Sequence, residues 1–145
     1  MKRAFYILLI LLIAAVGYGF YHTAQALEEA RHTERSLMDE VLEKKRVLID
    51  AAIEETQSFP EGSKVVEDAV EILGSERDRI EPGDHFYQAL GDIETVGAYY
   101  GLTVKELDHG SYEDAMTRYL DAHARVEKIS TTIPGKWLVK WGGMR

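Results

Sequence analysis

Ala4-Phe5-Tyr6-Ile7-Leu8-Leu9-Ile10-Leu11-Leu12-Ile13-Ala14-Ala15-Val16-Gly17-Tyr18-Gly19-Phe20-Tyr21 is an uncharged apolar run, preceded by Lys2 and Arg3. Phe5, Ile7 to Ile13, Val16 and Phe20 each favour bilayer insertion by roughly 0.3–0.6 kcal/mol, or roughly 3–6 kcal/mol together. The run is at the short end of what a hydrocarbon core of about 30 Å requires, and it is adequate. Tyr6 lies near one end and Tyr18, Phe20 and Tyr21 near the other, where aromatic rings settle at headgroup depth. The reading is a short basic N-terminus over residues 1–3 and one transmembrane helix over residues 4–21, with Tyr18 and Tyr21 at the membrane interface. Ala15 and Gly19 are a small-x-x-x-small pair, which lets two membrane helices approach and points to a homo-oligomer.

A cleaved secretory signal is the alternative, because Ala24-Gln25-Ala26 has the form of a cleavage site. Against it, the apolar run exceeds the usual h-region of about 7–15 residues. A cut after Ala26 would also fall inside a segment that reads as continuous helix. Lys2 and Arg3 abut the apolar run, whereas the first basic residue after it is Arg31, behind Glu28 and Glu29. The positive-inside rule then keeps the N-terminus in the cytoplasm and places the domain outside.

Only Lys2 and Arg3, of 17 basic residues, lie before residue 22, which leaves 15 basic against 25 acidic residues and a net charge of −10. Such a surface repels phosphate backbones and excludes nucleic acid as the expected partner. The chain has no cysteine, so disulfides, Cys-zinc sites and thiol nucleophiles are excluded.

From Ala26 to about Phe59 neither proline nor glycine interrupts the chain. Leu27, Ala30, Leu37, Val41, Leu48, Ala52 and Phe59, joined by Met38, Leu42, Ile49 and Ile53, recur at steps of three and four. This is one apolar stripe on a long helix, opposite Glu43, Lys44, Arg46, Glu54 and Glu55. Nothing between Phe20 and Leu27 separates it from the apolar run. Pro60-Glu61-Gly62 marks a turn, with Ser63 placed to cap a short helix carrying Val65, Val66, Ala69, Val70, Ile72 and Leu73. Gly74-Ser75 ends or bends that helix. After Glu81-Pro82-Gly83-Asp84, a third stripe of Phe86, Leu90, Ile93, Val96 or Gly97, and Tyr100 stops at Gly101. A connection follows, with Thr103 placed to cap one turn. Ser111-Tyr112-Glu113-Asp114 resembles a capping box, opening a last helix that Pro134 and Gly135 stop. No segment alternates with period two. The fold class is all-α: the membrane helix leads into an antiparallel bundle of about four helices over residues 22–134, followed by a Trp/Lys-rich tail over residues 135–145.

Several segments resemble the LemA family of membrane-anchored helical proteins of bacteria. Tyr21 matches the family's Tyr-Asn position just after the apolar segment. Leu42, Lys44, Lys45, Leu48, Ile49 and Ile53 fit in register its Gln-Leu, two basic residues and Asp-Leu-Ile-Pro-Asn-Leu-Val run. Phe86 and Leu90 match the start of its third helix. Tyr119, Asp121 and Ala122, then Ile133-Pro134 and Gly143, match a Tyr-Asn-x-Ala run, a Phe-Pro turn and a terminal glycine. The chain departs from the pattern at Asp50, Leu120 and Glu127, and its middle is shorter. The resemblance implies an anchored antiparallel helical bundle of the bacterial cytoplasmic membrane, and it implies no specific reaction.

Candidate chemistry is sparse. Glu29-Ala30-Arg31-His32 has the Glu-x-x-His spacing of a di-iron helix, but no second copy accompanies it, and a solvent-facing pair is the simpler reading. Asp84-His85, Asp108-His109 and Asp121-x-His123 could each orient an imidazole as a base, yet no nucleophile or phosphate-loop motif joins them. The reading is of no enzyme, no cofactor and no metal. The tail Lys136-Trp137-Leu138-Val139-Lys140-Trp141 is the least expected feature: from Arg118 onward six basic residues face two acidic ones. Trp137 and Trp141 suit a membrane interface, a groove on a partner, or the end of the bundle core. Counting helices, away from the bilayer and back twice, predicts that this tail returns to the lipid.

The composite reading is a single-pass, non-enzymatic scaffold or adaptor of the cell envelope, binding membrane lipid and an envelope protein. The alternatives are an accessory subunit or enzyme domain acting within a larger complex, which an inward-facing titratable cluster would favour, and a secreted helical protein cut at Ala26. The stripe makes a direct prediction. Leu48→Asp should unfold the domain, since an unpaired buried charge costs several kcal/mol. Glu54→Ala should change the thermal midpoint little, and similar melting of the two variants would mean that the stripe is misassigned.

Overall fold

The unbroken stretch ahead of Pro60 forms a single helix, α1 (Lys2–Thr56), so the apolar run and the amphipathic stripe share one backbone cylinder. At about 1.5 Å per residue, 55 residues extend about 80 Å. Four more helices follow: α2 (Lys64–Glu76), α3 (Phe86–Tyr99), α4 (His109–Ser130) and α5 (Ile133–Gly142). The structure is a computed structural model and describes residues 2–102 and 107–142. Among these residues there is no strand, and the all-helical class read from the sequence holds. Thr103 and Gly143 lie outside the described residues.

The helix ends follow from local chemistry. Three 3₁₀-type bonds, Gln57 N–H to Glu54 O, Ser58 N–H to Glu55 O and Phe59 N–H to Thr56 O, close α1 and deliver Phe59 to a buried position. Gly62 then turns the chain at φ +91°. Ser63 stands at the N-cap of α2 with extended backbone, but its hydroxyl makes no capping bond. Gly74 and Ser75 do not end α2, which runs on to Glu76 because a helix tolerates an isolated glycine at a cost of about 1 kcal/mol. The C-terminus of α3 is a Schellman turn. Gly101, at φ +67°, donates to Ala98 O, and Leu102 donates to Gly97 O.

Two local readings are corrected. α4 begins at His109, ahead of Ser111, because the Asp108 carboxylate accepts the Ser111 N–H at 2.9 Å and supplies the cap. Pro134 and Gly135, read as the stop of the last helix ahead of a Trp/Lys-rich tail, lie instead in the first turn of a further helix, α5. Proline needs no donor there, and its φ already suits a helix. Thr132 caps α5, its Oγ1 accepting from Gly135 N–H at 3.1 Å. Gly135 is buried against the end of α4, and a Cβ at this position would collide with Ile129 O. The α4–α5 corner therefore requires glycine.

The chain forms two compact units. One comprises the chain up to Ser36 and from Tyr119 onward; the other comprises Leu37–Arg118. The second holds most of the core. Val41, Leu48, Ile49 and Ala52 of α1 are buried there, with Val66, Ala69 and Leu73 of α2, Phe86, Ala89, Leu90 and Ile93 of α3, and Tyr112 and Ala115 of α4. α2 packs directly on α3. Among the described residues of the first unit, the buried apolar side chains are Leu27 and Ala30 of α1, and the residues of the apolar run are exposed or half-buried.

Candidate functional site

Lys45 occupies a position on the α1 stripe, four residues after Val41 and three before Leu48. Helical geometry therefore carries a cation into the core of the Leu37–Arg118 unit, where its side chain has no exposed surface. Glu76 repeats the pattern on α2, following Val66, Ala69 and Leu73 at steps of three and four. The two meet at 3.0 Å, Nζ to Oε2. Lys45 Nζ also donates to Arg79 O at 2.9 Å and lies 4.7 Å from the centre of the Phe86 ring. Glu76 Oε2 accepts the Gly83 N–H at 2.9 Å, and Oε1 accepts from Arg79 Nη1 at 3.0 Å. One side chain from α1 thus holds the end of α2, the following loop and the first residue of α3.

Burial by itself pushes the Glu76 carboxyl up. The Gly83 N–H and the Lys45 ammonium, helped by Arg79, outweigh it and hold the group below its ordinary range. Exposed pairs flank this clasp: Arg46 with Asp78 at 2.6 Å, and Arg77 with Asp50 at 2.9 Å. Each of these is worth at most about 1 kcal/mol. Tyr112 packs edge-on against Phe86 at 5.7 Å. Its hydroxyl is buried without a hydrogen-bond partner among the described residues, and desolvation, with Tyr87 and Glu76 nearby, drives the phenol far above its ordinary range.

Chemically the cluster is closed. Both Glu76 oxygens are engaged, and the ammonium is held by a carboxylate, a carbonyl and a ring face. Neither group is presented to a surface as a base or nucleophile. A depression of about 630 Å³ surrounds the α1–α2 turn, and the titratable side chains in its lining are Glu61 and Glu67.

The three histidine pairs read from the sequence bond elsewhere. His109 Nε2 meets Glu94 at 3.0 Å while Asp108 caps α4. His85 Nδ1 lies 3.5 Å from Gln88 Oε1. His123 Nδ1 meets Glu34 at 2.6 Å and stacks on Tyr119. Arg118 grips both oxygens of Glu40, at 2.7 and 3.1 Å, and so holds that carboxyl below its usual range. Glu29 and His32 are exposed, and no three of the described acidic or histidine side chains gather for a metal.

Of the residues assigned to the membrane, Tyr18 and Tyr21 are exposed, with Tyr18 packed on His22 at 4.4 Å. Ala15 is exposed, and a Cβ at Gly19 would meet nothing within 4 Å, so that face of α1 is uncovered by its own chain. Trp137 and Trp141 are exposed and touch edge-to-face at 6.0 Å. This differs from the reading in which they close the bundle core. An 18-residue window of α1 near the N-terminus is long and apolar enough to cross a membrane, and none of it is buried by the protein. A core helix would be covered; a signal sequence meets the same test of length and composition. No family model, curated protein or solved structure matches the chain.

Sequence reading missed Lys45 and Glu76 as partners, although both sit on apolar stripes. The stripe positions were the available signal. Lys45→Met should destabilise the domain by about 3–5 kcal/mol, because it strands a buried carboxylate, and Lys45→Met with Glu76→Leu should recover most of the loss in a denaturant titration.

The pair also sets an acid limb. Because the folded pKa of Glu76 is depressed, its contribution is complete above its ordinary value of 4.5 and is lost as pH falls through the depressed value. Glu76→Gln should therefore lower stability at neutral pH, and the variant and parent should converge in acid; parallel curves down to pH about 2 would exclude Glu76 as the source.

Proposed function

We propose that this chain is a non-enzymatic scaffold or adaptor, anchored in the bacterial cytoplasmic membrane by α1 and carrying a LemA-like antiparallel helical bundle. The observation that carries the reading is the start of α1: an apolar surface left uncovered by the chain and continuous with the helix that builds a core. An exposed patch of this kind needs lipid or protein around it. The charge order at the N-terminus supports an extracytoplasmic domain, and the bundle surface, acidic and set with exposed Tyr87, Tyr99 and Tyr100, suits an envelope protein partner. The open Ala15–Gly19 face is compatible with self-association in the membrane.

The accessory-subunit reading draws on the buried Lys45–Glu76 cluster with Tyr112 beside it, since inward titratable groups often mark active sites. It stands second because that cluster is fully engaged. Secretion after cleavage at Ala26 stands third, since it would create a charged N-terminus on buried Leu27 in the middle of a helix.

The test is fractionation followed by crosslinking in intact cells. The protein should stay with membranes through carbonate and high-salt washes, which remove proteins held by charge. It should also crosslink stoichiometrically to an envelope protein. A soluble form beginning at Leu27 would refute the anchor; substrate turnover without a partner would refute the scaffold.

A further inference from the structure

Within the unit that contains the apolar run, α5 has two opposed faces. Gly135 is buried and Pro134 and Leu138 are half-buried on one side, turned toward the protein. The other side presents Ile133, Trp137 and Trp141, which are 76%, 50% and 60% exposed, with Lys136 and Lys140 beside them. Steps of four align the three large apolar residues into one stripe, and the lysines border it. No acidic residue follows Glu127, on a chain whose net charge is −8.

The position of α5 follows from contacts of the same unit. His123 of α4 meets Glu34 of α1. Leu27 and Ala30 lie on the bilayer side of Glu34, and both are buried. Before His123 this unit contains only four residues of α4, so the chain after His123 supplies most of what the unit sets beside α1. The end of α4 therefore descends toward the apolar run, and Thr131–Thr132 turns it into α5. Leu27 is six residues beyond Tyr21, or about 9 Å along α1. A headgroup layer is about 5–8 Å deep on each side of the hydrocarbon core.

We propose that α5 is a second membrane contact: an interfacial helix that lies on a bilayer containing anionic lipid. Trp137, Trp141 and Ile133 enter the headgroup boundary, and Lys136 and Lys140 pair with anionic headgroups. The inference rests on the reading of α1 as an anchor. Indoles beside lysines match the interfacial zone, where ring bodies sit in acyl chain and N–H groups find polar partners. The rigid Gly135 corner fixes the presented face, since Ile129 O leaves no room there for a Cβ. A groove on another protein is the competing occupant, but nothing in the chain specifies one, whereas charge and continuity with the apolar run specify lipid.

Trp137 and Trp141 are the only tryptophans in the chain, so the full-length protein reports on α5 without a label. It is reconstituted in phosphatidylcholine vesicles with or without 30% phosphatidylglycerol, each carrying bromine at a shallow or a deep acyl position. In anionic vesicles, shallow bromine should quench the emission strongly and deep bromine weakly. Lys136→Gln and Lys140→Gln should each lower the docked-to-undocked ratio about fivefold, the equivalent of about 1 kcal/mol per basic residue near an anionic surface. A Tyr21→Trp variant in a Trp137→Phe/Trp141→Phe background reports the anchor separately. If that probe is quenched while the native tryptophans are not, the anchor stands and the α5 proposal falls. Indoles shielded from both bromolipid and aqueous iodide overturn it in favour of a protein groove. Quenching indifferent to phosphatidylglycerol overturns the role given to the lysines. Loss of quenching at Tyr21→Trp removes the anchor reading itself.

Discussion

The Lys45 ammonium has been taken wholly out of water, and its surroundings are arranged around the need to hold it. A lone buried cation costs several kcal/mol, so Glu76, the Arg79 carbonyl and the Phe86 face are each required where they stand. That requirement fixes where α2 ends, because Glu76 is its last residue. It also fixes the loop, because Gly83 must bring its N–H to the same carboxylate, and a Cβ there would come within 2.5 Å of Glu76 Oε1. A hydrophobic pair at the two positions would hold the helices together as well. It would not choose one rotation of α2 against α1 as sharply, since apolar contact is non-directional and a charge-assisted hydrogen bond is directional.

Much of the architecture was legible in simple patterns. The α1 stripe predicted from Leu27 to Phe59 is buried or half-buried along its length, and Gly101 ends α3 as read. What escaped the reading has physical causes. Hydropathy does not mark Lys45 and Glu76 as partners, because it treats a charge on a stripe as an interruption, whereas two such charges on facing stripes complete one another. Pro134 reads as a terminator because a proline ring breaks helix interiors; whether it breaks or starts a helix depends on a cap just ahead of it, and Thr132, two residues earlier, supplies one. The histidine pairs were sought between sequence neighbours, but the carboxylates that meet His109 and His123 come from Glu94 and Glu34, at distances along the chain that no local motif encodes. The aromatic residues Tyr18, Tyr21, Trp137 and Trp141 read as interfacial by their chemistry, whereas their exposure depends on the fold. Trp137 in particular suited a core as well as a surface.

The two units are held by different physics. Leu37–Arg118 has a packed apolar interior around one ion pair, and its surface pairs add little. Among the described residues of the other unit, Leu27 and Ala30 are the buried apolar side chains, and its contact between His123 and Glu34 is exposed to solvent. In water such a unit would be weak. Its burial alone offsets little of the conformational entropy lost on ordering these residues.

The Lys45–Glu76 contact spans 31 residues of chain and the His123–Glu34 contact spans 89. Closure over a short loop is faster and entropically lighter than closure over a long one. A chain emerging from the ribosome at about 5–20 residues per second has the whole of Leu37–Arg118 available before the end of α4 exists. The ion pair can therefore seal one unit during synthesis, whereas the other must wait for the last helices to be made. The order of assembly is written into the spacing of two salt bridges: the water-excluding core can be completed first, and the unit that contains the apolar run only after the end of α4 has been made.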